Sequence, residues 1–426
     1  MKKIKYIILG AGVSGLAFAN NISSNDYLII EKENEAGGYC RTKRSNGFVW
    51  DYAGHFFHFS NANLKKQFEE ITNSDETVVR TKNTKIYYKG YYVDYPFQKN
   101  IHQLSKEEMI DCLYDLFEKV EKDTYDSFQD MLYGKFGVSI TEKFLRPYNE
   151  KLYACNLDTL DVNAMGRFFP YADVSEIIRN MKVSNNASYN QEFLYPKNGA
   201  AVFVEKLMEN VCNDQIHYEE RAIEINTKEK VVVTDKGCYS YDYLISSIPM
   251  NEFVDISDLR NNIDKDVFSY NQVLVFNLGF DKPPKDDSIH WIYVPSKDIN
   301  FYRAGYYNNI IGTKNLSMYI EIGYPKDVQL SQNEIERQLE ETINNLKKMG
   351  IIDSHNLIDY QSIIMNPAYV HITQEGLKTV NNIKNTLISQ NVFFVGRYGD
   401  WKYCSIEDCM TDSLRTIEYI EGKDNA

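Results

Sequence analysis

The sequence contains no run of about 20 apolar residues, the length that crosses a lipid bilayer. Its N-terminal stretch begins with two lysines and stays apolar, as a signal peptide does, but Gly10, Gly12 and Gly15 interrupt it. We therefore expect a cytoplasmic protein without membrane insertion.

A cysteine pattern typical of metal sites or disulfide frameworks is also absent. The seven cysteines are odd in number and scattered, with no CxxC pair and no Cys/His cluster. This spacing predicts no metal site and favours a reducing compartment. The cysteines stand at positions 40, 112, 155, 212, 238, 404 and 409.

Basic charge is scarce. Lys and Arg number 47 against 60 Asp and Glu, which gives a net charge of -13. Such a surface repels nucleic acid and anionic lipid, so we predict no nucleic-acid partner. Any anionic small ligand must then be held by a few placed basic residues. The sequence gives no indication of the oligomeric state.

The sequence does have length and aromatic side chains. At 426 residues it is too long for one ordinary core, so we expect two or three structural units. The aromatic fraction of 14% offers stacking surfaces for a planar ligand, although aromatic residues by default pack in the core.

Three separated segments are typical of one α/β nucleotide-binding unit. Residues 4–10 and 27–32 read as buried strands around a helix at 14–22, and further strands are indicated within 231–249 and 391–399. We predict an α/β fold with a Rossmann-like FAD-binding domain assembled from discontinuous segments, at residues 1–85, 197–250 and 386–426.

The intervening sequence predicts two further domains. Ser105 and Glu108 form a capping box at the start of a helix over 105–122 with apolar residues up to Val120, and a second helix is predicted over 331–349. Alternating apolar residues predict several strands after residue 271. We therefore expect a helical substrate domain at 99–196 and an antiparallel β-sheet domain at 86–98 and 251–385.

The first glycines form a dinucleotide-binding motif. Gly10, Gly12 and Gly15 lie between a strand and a helix, where they suit a tight turn, access for a pyrophosphate and close helix–strand packing, respectively. Glu31 ends the second strand, at the place where a carboxylate accepts hydrogen bonds from an adenosine ribose. Strand, helix and acid together favour a bound dinucleotide over a glycine-rich turn without function.

The segments 35–42 (EAGGYCRT), 51–57 (DYAGHFF) and 396–403 (GRYGDWKY) resemble the flavin-dependent amine-oxidase and sugar-mutase superfamily. This resemblance implies FAD as the cofactor, with His55 against the flavin ring and Arg397 beside it. The cofactor-binding residues implied in this way are Gly10, Gly12, Gly15, Glu31, Gly38, Arg41, Thr42, His55, Arg397 and Asp408.

The substrate half resembles one branch, the UDP-galactopyranose mutases, and more nearly their eukaryotic type. The residues that carry this likeness lie in 94–98 (DYPFQ), 144–153 (FLRPYNEKLY), 189–196 (YNQEFLYP) and 291–303 (WIYVPSKDINFYR). The resemblance implies Tyr95, Gln98, Phe144, Asn149, Tyr153 and Asn190 around uracil and ribose, Arg167 and Arg303 on the diphosphate, Tyr293, Tyr369 and Tyr403 on the same phosphates, and Trp291 and Glu407 near the sugar.

The resemblance also implies the reaction. Reduced flavin acts as the nucleophile at the anomeric carbon of a UDP-hexopyranose, and the sugar closes again as the furanose. His55, Arg167, Arg303 and Arg397 would then be the catalytic residues. A reductant, NADPH or NADH, is required, and Lys82 and Thr84 loosely match its site in the eukaryotic type.

Some residues depart from the branch. Tyr153 stands where tryptophan is common, and Glu407 stands where an asparagine touches the sugar. The substrate is therefore better described as a UDP-sugar than as galactose, and another nucleotide remains open because tyrosine stacks on any base. The alternatives are an FAD-dependent oxidase with an apolar substrate cavity and a flavin-bound scaffold without turnover.

Overall fold

The computed structural model describes residues 1–72, 76–186 and 191–424. The strands, in chain order, are β1 (Lys2–Leu9), β2 (Tyr27–Ile30), β3 (Thr42–Ser45), β4 (Phe48–Asp51), β5 (Thr77–Thr81), β6 (Thr84–Tyr88), β7 (Tyr91–Asp94), β8 (Glu192–Pro196), β9 (Ile216–His217), β10 (Ala222–Asn226), β11 (Val231–Thr234), β12 (Cys238–Ser246), β13 (Asn271–Phe280), β14 (Trp291–Tyr293), β15 (Arg303–Tyr306), β16 (Ser317–Pro325), β17 (Leu357–Met365) and β18 (Val392–Phe394).

The α-helices are also given in chain order. They are α1 (Val13–Asn21), α2 (Ala62–Thr72), α3 (Lys106–Glu118), α4 (Phe128–Ile140), α5 (Arg146–Tyr153), α6 (Val174–Lys182), α7 (Ala201–Met208), α8 (Met250–Ile256), α9 (Tyr307–Ile311), α10 (Gln332–Lys348), α11 (Gln374–Leu387), α12 (Gly396–Gly399) and α13 (Ile406–Asp424). Across the described ranges, none of these helices has the length and apolar character needed to span a membrane.

The first sheet is built from distant parts of the chain. Its order is β10-β11-β12-β1-β2-β9, and β18 pairs with the C-terminal half of β12. The strands β18, β12, β1, β2 and β9 are all parallel, and their apolar runs are buried as expected for a sheet covered on both faces. The predicted α/β fold is confirmed. The carboxyl ends of these strands meet at one edge, where such sheets place their ligands.

The second sheet has the order β17-β13-β16-β15-β14-β6-β7, and its neighbouring strands are antiparallel except for β14 and β6. Every residue of β13 is buried. Leu274, Phe276 and Leu278 face a core that includes Leu346 from α10, whereas the alternate residues of β13 face a core formed with β4. Successive side chains of β13 therefore belong to two different cores, one on each face of the sheet.

The two helices predicted from capping boxes are present. Ser105 accepts a hydrogen bond from the Glu108 N–H and begins α3, and Ser331 accepts one from the Glu334 N–H and begins α10. The predicted end of the first helix is wrong, because the chain turns extended at Lys119. Val120 therefore lies outside α3, and it is exposed.

Gly15 offers a test of the packing that positions α1 on the sheet. A Cβ atom at this position would lie 2.0 Å from the Gly10 carbonyl oxygen, which is backbone and has no room to move away. We expect Gly15→Ala to lower the free energy of unfolding by about 1–3 kcal/mol, as overpacking does. Urea denaturation measures the change. The control is Gly422→Ala in α13, where a Cβ would meet nothing within 4 Å and where alanine favours the helix. Equal effects of the two substitutions would contradict the close approach.

Candidate functional site

A cavity of about 820 Å³ opens at the carboxyl ends of the parallel strands. Gly10 follows β1, Glu31 follows β2 and Ser247 follows β12, and all three line the cavity. The sheet therefore brings together residues that are more than 200 positions apart. Further lining residues, from the segments predicted to bind the cofactor, are Gly12, Gly38, Arg41, His55 and Arg397.

The glycine motif shapes one wall of this cavity. Gly10 has a φ of +95°, which side chains rarely adopt, and a Cβ there would lie 2.6 Å from the Ser247 hydroxyl. Gly12 precedes α1 without a capping side chain and has open space where a Cβ would be. The first N–H groups of α1 are consequently available for an anion. Gly15 lies behind the wall and packs α1 on β1, so each glycine has the local geometry that its predicted role requires.

Glu31 is held rigidly at the same edge. Its carboxylate accepts hydrogen bonds from the Ala11 N–H at 2.7 Å and from the Glu33 N–H at 2.9 Å. A carboxylate has further lone pairs, so it can still accept hydrogen bonds from ribose hydroxyls.

Arg41 and Thr42 are neighbours with different surroundings. Arg41 donates from Nε to the Gly38 carbonyl at 2.7 Å, lies over the Tyr52 ring and lines the cavity. The Thr42 hydroxyl instead donates to Asp51 and accepts from the Ala201 N–H at 2.9 Å. Thr42 is not among the described residues that line the cavity, and its cofactor contact stays a prediction.

His55 and Arg397 lie together at another part of the cavity. Burial, with a further contribution from the nearby Arg397 charge, lowers the pKa of His55 to about 4, so the imidazole is neutral at physiological pH. Its Nδ1 lies 3.2 Å from the Ala53 carbonyl, which only accepts, so Nδ1 carries the proton and Nε2 is an acceptor. Arg397 donates to the Cys404 carbonyl at 2.6 Å, and its guanidinium lies 5.1 Å from the centre of the Tyr403 ring.

Asp408 and Arg167, both predicted site residues, bind each other at the start of α13. The Arg167 guanidinium lies 2.7 Å from the Asp408 carboxylate, which also accepts from the Ser405 N–H at 2.8 Å. Burial alone would raise the pKa of Asp408, but these hydrogen bonds and the arginine charge outweigh it and lower the pKa. Asp408 does not line the cavity in the described chain. It positions Arg167 and the first turn of α13, and its contact with the cofactor stays a prediction.

A group of tyrosines surrounds Arg303 next to this region, and we call it the tyrosine–arginine cluster. The Tyr293 ring centre lies 5.2 Å from that of Tyr95 and 5.0 Å from that of Tyr148, and Tyr369 stacks on Tyr403 at 5.8 Å. Arg397 also faces the Tyr369 ring at 5.9 Å, which joins the cluster to the cavity wall. Its members are Tyr95, Tyr148, Tyr293, Tyr302, Tyr319, Tyr369, Tyr403 and Arg303.

Arg303 owes its position to strand register. It stands directly opposite Glu321 in the antiparallel pair of β15 and β16, and the two side chains form a buried ion pair. Glu321 also accepts from the Tyr302 hydroxyl at 2.6 Å. Among the described residues, the Arg303 Nε–H has no hydrogen-bond partner although it is buried. Such an unsatisfied donor is costly unless a ligand oxygen meets it.

Burial keeps several phenols of the cluster neutral. It raises the pKa of Tyr95, Tyr148 and Tyr293, and it does so for Tyr369 as well, although Arg303 acts in the opposite direction there. Neutral phenols retain their O–H donors. The cluster therefore presents hydroxyl donors beside two guanidiniums, with Glu321 as the opposing buried carboxylate.

Of the residues predicted around uracil, Asn149 and Tyr153 lie on α5 and Phe144 lies just before it. Phe144 lies between the near-parallel rings of Phe97 and Tyr148, at 5.1 and 5.2 Å, so it packs as a core residue and its contact with a base stays a prediction. Trp291 likewise stacks on Phe56 at 5.1 Å. Asn190 lies outside the described residues.

Three other predicted residues carry buried polar atoms without partners in the described parts of the chain. Gln98 donates its amide to the Pro170 carbonyl, and Asn149 donates its amide to the Leu145 carbonyl at 2.7 Å. The Gln98 Oε1, the Asn149 Oδ1 and the Tyr153 hydroxyl are left unpaired. The two amides are thus oriented with free acceptor oxygens.

Glu407 has a structural role, and its predicted contact with the sugar stays a prediction. Its carboxylate accepts from the Asn61 N–H at 2.6 Å, the Ser60 N–H at 2.9 Å and the Ser60 hydroxyl at 2.8 Å. Asn61 in turn caps the start of α2 through its side chain. Glu407 therefore connects α13 to α2. This connection depends on tertiary packing, because Ser60 and Glu407 are far apart in sequence.

Among the residues that were not predicted, Tyr148 of the cluster and Glu321 beside it carried a signal in the sequence. Tyr148 lies within the quoted segment 144–153 and stands one helical turn after Phe144, on which it stacks. Glu321 is a lone acid in the apolar run of β16, and such an acid requires a buried partner. The identity of that partner depended on the register.

Comparisons with known proteins agree with this architecture. The flavin containing amine oxidoreductase family matches residues 13–416. A structure of reduced UDP-galactopyranose mutase is 21% identical with a TM-score of 0.90, over 99% of this chain and 96% of that one. Putrescine oxidase bound to putrescine is 14% identical with a TM-score of 0.66, and a fatty acid isomerase from P. acnes is 14% identical with a TM-score of 0.64; both comparisons cover 99% of each chain. These structures share the fold.

The role of Glu407 can be tested by Glu407→Gln. The amide loses the charge that the two N–H donors meet, so we expect the free energy of unfolding to fall by about 1.5–3 kcal/mol. The matched control, Glu418→Gln, changes an exposed residue of the same helix and should stay within about 0.5 kcal/mol of the wild type. Thermal or urea unfolding checks both. Unchanged stability of Glu407→Gln would contradict the clamp between α13 and α2.

Proposed function

Because the chain belongs to the family of flavin containing amine oxidoreductases, whose cofactor is FAD, we propose that it is a flavin-dependent isomerase that interconverts a UDP-hexopyranose and a UDP-hexofuranose. UDP-galactopyranose and UDP-galactofuranose are the first substrates to test. The proposal is supported by the fold shared with UDP-galactopyranose mutase and by one specific feature of the site.

The carrying observation is the tyrosine–arginine cluster. Arg303 and Arg397 lie among phenols that burial keeps protonated, next to the cavity that fits the dinucleotide. A diphosphate needs positive charge and many hydrogen-bond donors, and guanidiniums with phenol hydroxyls supply both. An oxidase of amines or polycyclic compounds would instead require an apolar substrate cavity.

The unpaired amide oxygens of Gln98 and Asn149 support uracil as the base of the substrate. Uracil presents one N–H donor between two carbonyl acceptors, so a matching site offers an amide oxygen as acceptor. Gln98 and Asn149 have amide oxygens that are buried and unpaired among the described residues, and their amide nitrogens are anchored. A bound base would remove the cost of these unpaired atoms.

The cofactor and the chain contribute differently to the proposed reaction. Bound FAD in its reduced form would supply the nucleophilic nitrogen that attacks the anomeric carbon. The glycine wall and Glu31 would hold its pyrophosphate and ribose. Arg303, Arg167 and the phenols would hold the diphosphate while it is detached, which is a positioning role. His55 would remain neutral beside the flavin because of its low pKa.

We further propose NADPH or NADH as the reductant. Lys82 lies 5.0 Å from the Tyr95 ring centre, and burial lowers its pKa to about 8. The Thr84 hydroxyl on β6 is buried and has no hydrogen-bond partner among the described residues. The predicted match at this place therefore includes both Lys82 and Thr84.

The family also contains oxidases, and one experiment distinguishes the two reactions. Dithionite-reduced enzyme is incubated with UDP-galactopyranose and a panel of other NDP-sugars, and products are separated by chromatography. We expect conversion of a UDP-sugar with reduced flavin only and without net consumption of oxidant. If no sugar isomerises while an amine or a polycyclic substrate reduces the oxidised flavin, the isomerase proposal is wrong.

Arg303→Lys tests the diphosphate contact. Lysine keeps a positive charge beside the buried Glu321, so the fold is preserved, but it lacks the Nε–H and the forked geometry. We expect kcat/KM for the UDP-sugar to fall at least about tenfold, equivalent to about 1.4 kcal/mol. The flavin content should not change. The control is Arg337→Lys on the exposed face of α10, with unchanged kinetics. Wild-type kcat/KM for Arg303→Lys would exclude this role.

A further inference from the structure

Two thiols are in contact at the wall of the flavin cavity. The Sγ atoms of Cys404 and Cys409 lie 3.7 Å apart, and both residues line the cavity together with His55 and Arg397. Cys40 lines the same cavity. All three of these cysteines are free of disulfide bonds in the structure. The proposed isomerase reaction does not use them.

The start of α13 explains why these two side chains meet. Ser405 caps the helix: its hydroxyl accepts from the Asp408 N–H at 3.2 Å, and Asp408 accepts from the Ser405 N–H at 2.8 Å. In this arrangement the residue before the cap packs on the fourth residue of the helix. These positions usually hold an apolar pair, and here they hold Cys404 and Cys409. The pairing is thus dictated by local backbone geometry.

The surroundings shift the pKa values of the two thiols in opposite directions. A hydrogen bond from Cys404 lowers the pKa of Cys409 to about 7, and the nearby Arg397 charge acts in the same direction. The same hydrogen bond raises the pKa of Cys404. Cys409 also lies in the first turns of a helix, where thiolates are stabilised. Cys409 is therefore the more acidic thiol of the pair.

We propose that Cys404 and Cys409 form a redox-active dithiol that exchanges two electrons with the FAD bound in the same cavity. In the forward direction an S–S bond forms and both thiol protons leave. Oxidised flavin accepts two electrons and one proton, and the second proton goes to solvent. The sulfur atoms must approach from 3.7 Å to about 2.0 Å, the length of a disulfide bond.

This proposal rests on the cofactor of the family and not on the isomerase activity. A dithiol beside the flavin would store an electron pair and keep the cofactor reduced. Such a store suits any reaction that needs reduced flavin without net redox turnover. The pair remains testable in a protein that converts no sugar.

The test combines a reductive titration with peptide mass analysis. Air-oxidised holoenzyme is titrated anaerobically with dithionite while the flavin absorbance is followed. We expect the wild type to consume twice the reducing equivalents needed by its flavin, whereas Cys404→Ser and Cys409→Ser consume only the flavin equivalents. Cys212→Ser, which changes an exposed thiol away from the cavity, should behave as the wild type.

The mass measurement identifies the bond independently of the variants. Trypsin cuts after Lys402 and Arg415, so both thiols and no other cysteine lie in the peptide 403–415. In oxidised holoenzyme this peptide should resist alkylation and lack two hydrogen atoms, and it should take two alkyl groups after full reduction. Two alkylated thiols in the oxidised holoenzyme, a bond to Cys40, or equal titration endpoints for wild type and serine variants would each overturn the proposal.

Discussion

The parallel pairing of β1 with β12 is the contact on which the rest of the site depends. The register runs from Lys2 opposite Tyr239 to Leu9 opposite Ser246, and the last four residues of each strand are buried. Its consequence is that Gly10 and Ser247 emerge side by side. Because β18 adds to the remaining edge of β12, Gly396 and Arg397 arrive at the same place. The cavity exists only because these three segments share one sheet.

The second sheet supplies a buried positive charge, the guanidinium of Arg303. A guanidinium in a buried region is stable only with a compensating group, and the register of β15 and β16 provides Glu321 opposite Arg303. One face of that guanidinium is thereby neutralised while the Nε–H stays available. The second cation, Arg397, is held by the Cys404 carbonyl. Two cations can thus be kept near a flavin cavity in a protein of net negative charge.

Burial also sets the protonation states around the cavity. The same low-polarity surroundings keep the His55 imidazole neutral and the tyrosine phenols protonated. The Cys404–Cys409 pair differs because the hydrogen bond between the thiols, at a helix start next to a guanidinium, lowers the pKa of Cys409. The region therefore combines uncharged hydrogen-bond donors with a pair of thiols, one of which has a lowered pKa.

Local patterns in the sequence determined the α/β fold, the glycine wall with Glu31, and the starts of α3 and α10. These features depend on hydrogen bonds and periodicity within a few residues, so they can be read without knowing the rest of the chain. Even the meeting of Cys404 and Cys409 follows from the cap formed by Ser405 and Asp408. Tertiary structure alone decided the partners of Arg303, Thr42 and Glu407. Those partners lie on other strands, helices or loops, and which side chains meet depends on strand register and helix packing, which no local pattern records.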